Sequence, residues 1–390
     1  MEKLKPDYNG NTIVNLIHSI YKKFEISDNF TKTSELKILK TQGSLLKDRI
    51  VLIIIDGAGD SFYKLYKEVL RLDDWYHGCI HSVYPSTTAS SITSLLTGLT
   101  PLEHGIPGWH TYFKDISSII NILPFKQRFS TGNSKIGKII PDQYIKASNK
   151  ARKLSRKMLS LQPNYLSETI YSKHLGGLAI RQGYRNYKEF SLKLESFIKG
   201  ETDRQFAYAY IPSIDSLSHK YGQNSKPVAK EAEVLGDIIR NLFQIAEFNN
   251  STIIVTADHG FVTNSKNNTI TTEQHPDFQR MLALPLCGEP RTAFAYVKPN
   301  EKNNFLDYIK TFFSDKITVK QSQTMVKEGW FGTGSPHPDF INRLGDFVLC
   351  MNNNYSIFDP LENEPVPELK GVHGGWHPNE IRVPIFMTRF

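Results

Sequence analysis

Ile50–Gly57 reads IVLIIIDG. Six apolar residues in a row, five of them β-branched, leave no position for solvent and mark a strand buried on both faces, as in a parallel sheet. Asp56-Gly57 then closes the strand with a carboxylate and a turn. The same ending recurs. Phe206–Ile211 runs into Pro212 and then Asp215, and Thr252–Thr256 runs into Ala257-Asp258-His259-Gly260. Between them, Val228 to Phe248 has helical spacing, with Leu235, Ile238, Ile239, Leu242, Ile245 and Ala246 on one face. Buried strands alternating with amphipathic helices predict an α/β fold: a mostly parallel sheet flanked by helices on both faces, with its functional groups at the carboxyl ends of the strands.

The 390 residues are 39% hydrophobic and 22% charged, which is enough apolar surface for a large core and argues against disorder. A net charge of +8 favours anionic partners without choosing among them. Cys79, Cys287 and Cys350 are odd in number and lack CxxC spacing, so neither a disulfide framework nor a thiolate metal site is indicated, and a cytoplasmic setting is expected. Near the start, Ile13, Leu16, Ile17, Ile20 and Phe24 fall at helical spacing, interrupted by Asn15, His18 and Ser19. That pattern is an amphipathic helix and not a signal peptide. Ile50–Ile55 is the longest purely apolar run and is too short to span a bilayer.

We expect one domain over 1–390, with two insertions. The first, about 112–175, carries the basic positions Lys146, Lys150, Arg152, Lys153, Arg156 and Lys157 and no obvious strand; a solvated helix face is favoured there over an anion-binding surface. The second, about 262–340, contains the strand-like Thr292 to Val297 and a glycine-rich turn from Phe331 to Ser335, and is expected to form a small cap lobe. Neither an internal repeat nor a GxxxxGK[ST] phosphate loop is present.

Ser82 to Gly108, SVYPSTTASSITSLLTGLTPLEHGIPG, places Ser86, Thr87 and Thr88 in the turn before a helix that Gly98 ends. Any of the three hydroxyls can cap the helix, which is the ordinary role, or serve as a nucleophile beside free backbone N–H groups that hold a phosphate or sulfate. Asp56, Asp215 with His219, Asp258 with His259, and His373 gather at the expected strand ends. Each alone has a structural reading as a turn former or a helix-surface pair. Together, three carboxylates and three imidazoles are a donor set for two zinc-like divalent ions, which can activate a nucleophile and clamp a phosphoryl group.

The ordered motifs Asp56-Gly57, Thr88 with Thr97-Gly98 and His104-Gly105-Ile106, Asp215-x-x-x-His219-x-x-Gly222, Thr256-Ala257-Asp258-His259-Gly260 and His373-Gly374-Gly375 resemble the alkaline phosphatase superfamily, and within it the type I phosphodiesterase and nucleotide pyrophosphatase family. The resemblance implies an alkaline phosphatase-like core and a metal-dependent hydrolase of phosphodiester or pyrophosphate bonds. It assigns one metal to Asp215, His219 and His373, and the other to Asp56, Asp258, His259 and the nucleophile oxygen. Counting back from Thr97 selects Thr88 as the nucleophile that carries a covalent phosphoryl group, leaving Ser86 and Thr87 to cap or close the turn. Zinc is the implied ion, with manganese or iron as alternatives, and the implied partner is a small phosphodiester or nucleotide-like molecule. Where many nucleotide-cleaving members have an asparagine, this chain has Trp109; His110 or Lys114 is the candidate replacement donor.

A phosphate monoester or phosphonate hydrolase on the same core is the nearest alternative. A sulfatase is disfavoured because no C/S-x-P-x-R motif surrounds Thr88. A non-catalytic anion-binding module using Lys146 to Lys157 would not need every ligand retained, and the aromatic-basic interleaving of a base-stacking surface is lacking there; neither nucleic-acid nor membrane binding is expected.

Overall fold

The computed structural model describes residues 3–26, 33–41, 46–129, 141–362 and 364–389. Among them, seven strands form the central sheet: β1 (Ile50–Ile55), β2 (Tyr76–His81), β3 (Met158–Pro163), β4 (Ile180–Tyr184), β5 (Phe206–Ile211), β6 (Thr252–Thr256) and β7 (Arg382–Met387). Their spatial order is β2-β7-β6-β1-β5-β3-β4. β1 lies at the centre, parallel to β5 and β6, and all six of its residues are buried. β3 is parallel to β4 and β5, whereas β7 runs antiparallel to β2 and β6.

This order places the site. β6, β1 and β5 are adjacent and parallel, so the segments that leave their carboxyl ends emerge side by side on one edge. β7 runs the other way, so the loop that precedes it arrives at the same edge, and β2 delivers its carboxyl end and the following turn there too.

Helices pack on the sheet as the apolar spacing requires. They include α1 (Ile13–Lys23), α2 (Thr88–Thr97), α3 (Ser213–Tyr221) and α4 (Lys226–Phe248). α4 buries Leu235, Ile239, Leu242 and Ala246 with Val228, Ala232 and Phe243, while Ile238 and Ile245 lie at the margin of its stripe, partly buried. α1 starts on a capping box between Thr12 and Asn15. The residues that interrupt its apolar pattern do not turn to solvent, because each finds a partner inside. Asn15 Nδ2 donates to the carbonyls of Tyr8 and Ser34, and His18 Nε2 to that of Gly98. Gly98 ends α2 at φ +66°, where a Cβ would lie 2.3 Å from the Tyr21 hydroxyl. α1 is therefore wedged against the end of the helix that Thr88 opens.

The insertion boundaries are redrawn. The segment expected to lack a strand, about 112–175, contains β3, a member of the central sheet; its residues 130–140 lie outside the described set. β3 reads MLSLQP, and its polar residues hid it. Ser160 and Gln162 are buried and bond each other at 3.0 Å, and Gln162 also accepts from Ser172. Asn149–Ser155 forms the basic helix, with Ala151 and Leu154 turned inward and Arg152 and Lys153 exposed.

Residues of both expected insertions combine in a second seven-stranded, antiparallel sheet. Its order is Ile317–Gln321, Phe347–Met351, Thr292–Ala295, Cys287–Glu289, His110–Phe113, Ser118–Asn121 and Lys126–Gln127. It therefore extends past 340 and takes in 110–127. The pairing of Gly288 with His110 brings Trp109, His110 and Glu289 together beside the edge where the site lies.

Candidate active site

Each strand end supplies its side chain in turn. Asp56 follows β1 directly, Asp215 sits in the first turn of α3 after β5, and Asp258 and His259 follow β6. Gly57 is needed to make the turn: its φ is +74°, and a Cβ there would lie 2.4 Å from the Phe261 ring. Its N–H donates to Asp258 Oδ1 at 3.1 Å, tying the β1 and β6 endings together. His219 lies one turn beyond Asp215 on α3. His373 arrives on the loop before β7.

The side chains meet. His259 Nε2 lies 3.3 Å from Asp56 Oδ1, 3.7 Å from Asp258 Oδ2 and 4.0 Å from Asp215 Oδ1. Asp215 Oδ1 lies 3.3 Å from His219 Nε2 and 3.6 Å from His373 Nε2, and those two nitrogens are 3.2 Å apart. Thr88 is the first residue of α2, and its Oγ1 is 3.1 Å from His259 Nε2 and 3.4 Å from Asp56 Oδ1.

Ser86 and Thr87 point elsewhere. Ser86 Oγ donates to the Gly375 carbonyl at 2.8 Å, and Thr87 Oγ1 donates to Glu289 at 2.7 Å. Neither caps α2 as expected: Thr87, at the capping position, has given its hydroxyl to Glu289. The first N–H groups of α2 are thus left without a side-chain cap beside Thr88, where the helix dipole favours an anion.

The histidines are set to face a cation. Nδ1 of His219 meets the carbonyl of Gly371 at 2.9 Å, that of His259 the carbonyl of Gly260 at 3.1 Å, and that of His373 the carbonyl of Ser86 at 3.3 Å. A carbonyl only accepts, so every Nδ1 carries the proton, and in the neutral rings every Nε2 is a bare lone pair aimed into the cluster. The Nε2 atoms of His219 and His373, 3.2 Å apart, are satisfied either by a proton on one of them or by a cation held between them. Asp215 Oδ1 and Asp258 Oδ2 are buried with no hydrogen-bond donor.

Charge crowding tells the same story. Burial, then Asp258 and Asp215, hold Asp56 well above the usual carboxylate range, and burial raises Asp258 as well. Burial would also raise Asp215, but His219, His373 and His259 around it prevail and hold it low. For His259, burial is outweighed by Asp258 and Asp56, which hold it up to about 10, whereas burial, His259 and His219 push His373 well down. The residues fit divalent ions: Asp215, His259 and His373 are close enough to share one and Asp56, Asp258 and His259 another, with His219 adjoining the first group.

Trp109 and His110 line the pocket that opens over this cluster, with a volume of about 650 Å³. Lys114 does not line it; the residue starts the turn after His110–Phe113 and is exposed. Tyr210 and Glu289 are among the pocket residues that escaped the sequence reading. Tyr210, on β5, donates from its hydroxyl to Asp56 Oδ2; its signal was the FAYAYI alternation, which puts Tyr208 and Tyr210 on one face. Glu289 accepts from Thr87 Oγ1 and from the Trp109 N–H at 2.6 Å. Nothing in Cys287-Gly288-Glu289-Pro290 marked it.

No curated protein matches the chain by sequence with significance. Its fold is similar to that of murine ectonucleotide pyrophosphatase/phosphodiesterase 5 at TM-score 0.63 and 13% identity, covering 87% of this chain and 88% of that one. An inactive variant of that protein in complex with AMP matches at TM-score 0.63 and 13% identity, over 88% of both chains. Phosphonoacetate hydrolase from Sinorhizobium meliloti, in complex with phosphonoformate, is similar at TM-score 0.64 and 16% identity, covering 88% and 91%. The sequence model of type I phosphodiesterase/nucleotide pyrophosphatase matches residues 50–376. That span runs from the first residue of β1 past His373, and the chain therefore belongs to the type I phosphodiesterase/nucleotide pyrophosphatase family of enzymes, within the alkaline phosphatase superfamily.

Proposed function

We propose that the chain hydrolyses phosphodiester or pyrophosphate bonds through a covalent phosphothreonine on Thr88, with two divalent ions, zinc by its donor set. The observation that carries this reading is the meeting of Thr88 with three carboxylates and three inward Nε2 atoms at the N-terminus of α2. Asp215, His219 and His373 would hold one ion; Asp56, Asp258, His259 and Thr88 Oγ1 would hold the other. When bound, such ions stabilise an ionised hydroxyl and the charge on the phosphoryl oxygens.

Thr88 suits its part. Its β-branched side chain has few rotamers, so its oxygen is aimed at small entropic cost. Attack forms a bond from Oγ1 to phosphorus as the bond to the departing alcohol or phosphate breaks, and the proton lost from the hydroxyl passes to that leaving group; water then hydrolyses the phosphothreonine, releasing the monoester and returning the proton to Thr88. The uncapped N–H groups of α2 would receive the non-bridging oxygens. The whole chain acts as one catalytic unit, with the second sheet walling the pocket. Its three free cysteines support a reducing, cytoplasmic setting.

The test combines metal analysis with turnover of bis(4-nitrophenyl) phosphate and 4-nitrophenyl phosphate. About two ions per chain are expected, and a higher kcat/KM on the diester. Thr88→Ala should abolish turnover while retaining most of the metal, Thr88→Ser should keep measurable activity, and acid quenching should trap a phosphoryl adduct on the Thr88 peptide. A fully active Thr88→Ala protein would refute the mechanism; a tenfold preference for the monoester, about 1.4 kcal/mol at the transition state, would transfer the assignment to monoester hydrolysis.

A further inference from the structure

Beyond the cluster's own histidines and the ions it would hold, the pocket is short of positive charge. Among the described residues that line it, Arg128 is the sole lysine or arginine, and it is already engaged. Its guanidinium donates to Glu364 at 2.8 Å and to the carbonyls of Leu286 and Asp359 at 3.0 and 2.7 Å. His110 adds no charge near neutral pH, because burial and then Arg128 push it down to about 4.

Glu289 stands on the opposite side of this balance. Its carboxyl is buried beside Thr87, one residue from Thr88, and both of its donors, Thr87 Oγ1 and the Trp109 N–H, meet the same oxygen, Oε1. Among the described residues no lysine or arginine forms an ion pair with it. Burial pushes it up to about 7, so the surroundings penalise its charge, and a cationic group in the pocket would relieve that penalty.

We propose that Glu289 is a specificity-determining residue: the alcohol portion of the substrate that fills this pocket carries an ammonium or neutral hydroxyl donors, and a second anionic group is rejected. The inference rests on the phosphodiester reading above and narrows it. A nucleoside di- or triphosphate, whose remaining phosphates need cations, fits this pocket worse than a diester with an amino alcohol.

Three esters of 4-nitrophenyl phosphate, carrying 2-aminoethyl, 2-hydroxyethyl or 2-carboxyethyl as the second alcohol, isolate the effect because the nitrophenolate leaving group is common to all. The metal-loaded wild type should rank them in that order by kcat/KM, with at least about tenfold between the ends and a spread that shrinks with added salt. Glu289→Gln keeps a carbonyl oxygen for both donors and should bring the aminoethyl to carboxyethyl ratio within threefold. Equal loss on all three esters in that variant would show a merely structural brace and overturn the inference. So would a wild type that treats the three alike or prefers the carboxylate, a result that needs no variant to fold. Cleavage of none of them would refute the phosphodiester reading itself, whereas cleavage without charge preference overturns this inference alone.

Discussion

Tyr210→Phe removes one hydroxyl and tests whether Asp56 is held in place from behind. Tyr210 donates to Asp56 Oδ2, while Asp56 Oδ1 faces His259 and Thr88 at 3.3 and 3.4 Å. Burial, and then Asp56 itself, hold the phenol well above its ordinary value, so it stays a donor at any working pH. Removing it leaves one oxygen of a buried carboxylate with no replacement from solvent. A hydrogen bond to a charged group is worth about 1.5–3 kcal/mol, and loss of an outer partner of a metal ligand costs about 10–100-fold in affinity. At about 1.4 kcal/mol per decade the two figures describe the same effect. The ring remains to fill its space, so metal affinity should drop by that factor with the fold intact, and excess metal should restore most of the turnover. Competition titration with a chromophoric chelator, followed by activity against metal concentration, reads both. An affinity within twofold of wild type, or a turnover defect that saturating metal leaves untouched, would refute the reasoning.

Other perturbations report on the supports of the site. Arg291 and Glu380 form a fully buried ion pair at 2.9 Å, and Glu380 also accepts from the Gly375 N–H at 2.8 Å; Arg291→Met should cost about 3–5 kcal/mol in urea unfolding by stranding that carboxylate, and the loop carrying His373 should lose protection from hydrogen exchange. Glu289 binds a proton more tightly folded than unfolded, so the stability it confers is complete below its unfolded value near 4.5 and is lost as pH rises to about 7. Metal-free wild type should therefore lose about 3 kcal/mol across that window relative to Glu289→Gln, and parallel stability curves for the two proteins would contradict this. Gly57→Ala forces a side chain onto a φ of +74° and against Phe261, at about 1–2 kcal/mol of backbone strain; melting temperature and metal content should fall together, and a neutral outcome would remove Gly57 as the turn that ties Asp56 to Asp258.

The central strands were legible because β1 and β5 are runs of apolar and aromatic residues and β6 carries Ile253, Ile254 and Val255 between two threonines, so Asp56, Asp258 and His259 at their ends follow from chain direction. β3 was not legible, since Ser160 and Gln162 satisfy each other inside the sheet and mimic a solvated strand in sequence. The second sheet was missed as a unit for another reason. Its strands lie up to 241 residues apart, from His110 to Met351, and nothing local signals that Gly288 will pair with His110. Glu289 inherits this invisibility. Its importance comes from where a non-local pairing puts it, whereas Asp258 and His259 advertise theirs in four consecutive residues.

That contrast divides the site into two parts with different physical origins. The cluster around Thr88 is built by the topology of the sheet: adjacent parallel strands must end side by side, so acids placed after each of them collide unless cations intervene. The bracing is built by backbone groups, with Gly371, Gly260 and Ser86 carbonyls fixing three imidazoles and Gly57 fixing Asp258. Neither part needs to know the substrate. The wall of the pocket over the cluster comes from the second sheet and its margin, through Trp109, His110 and Glu289. The cluster and the wall meet through Thr87 and Glu289, through Tyr84, whose hydroxyl lies 3.1 Å from Thr292 Oγ1, and through the Arg291–Glu380 ion pair. Trp109 lies on that wall, and its backbone N–H is committed to Glu289. Trp109 and the buried acid are therefore one feature of the pocket.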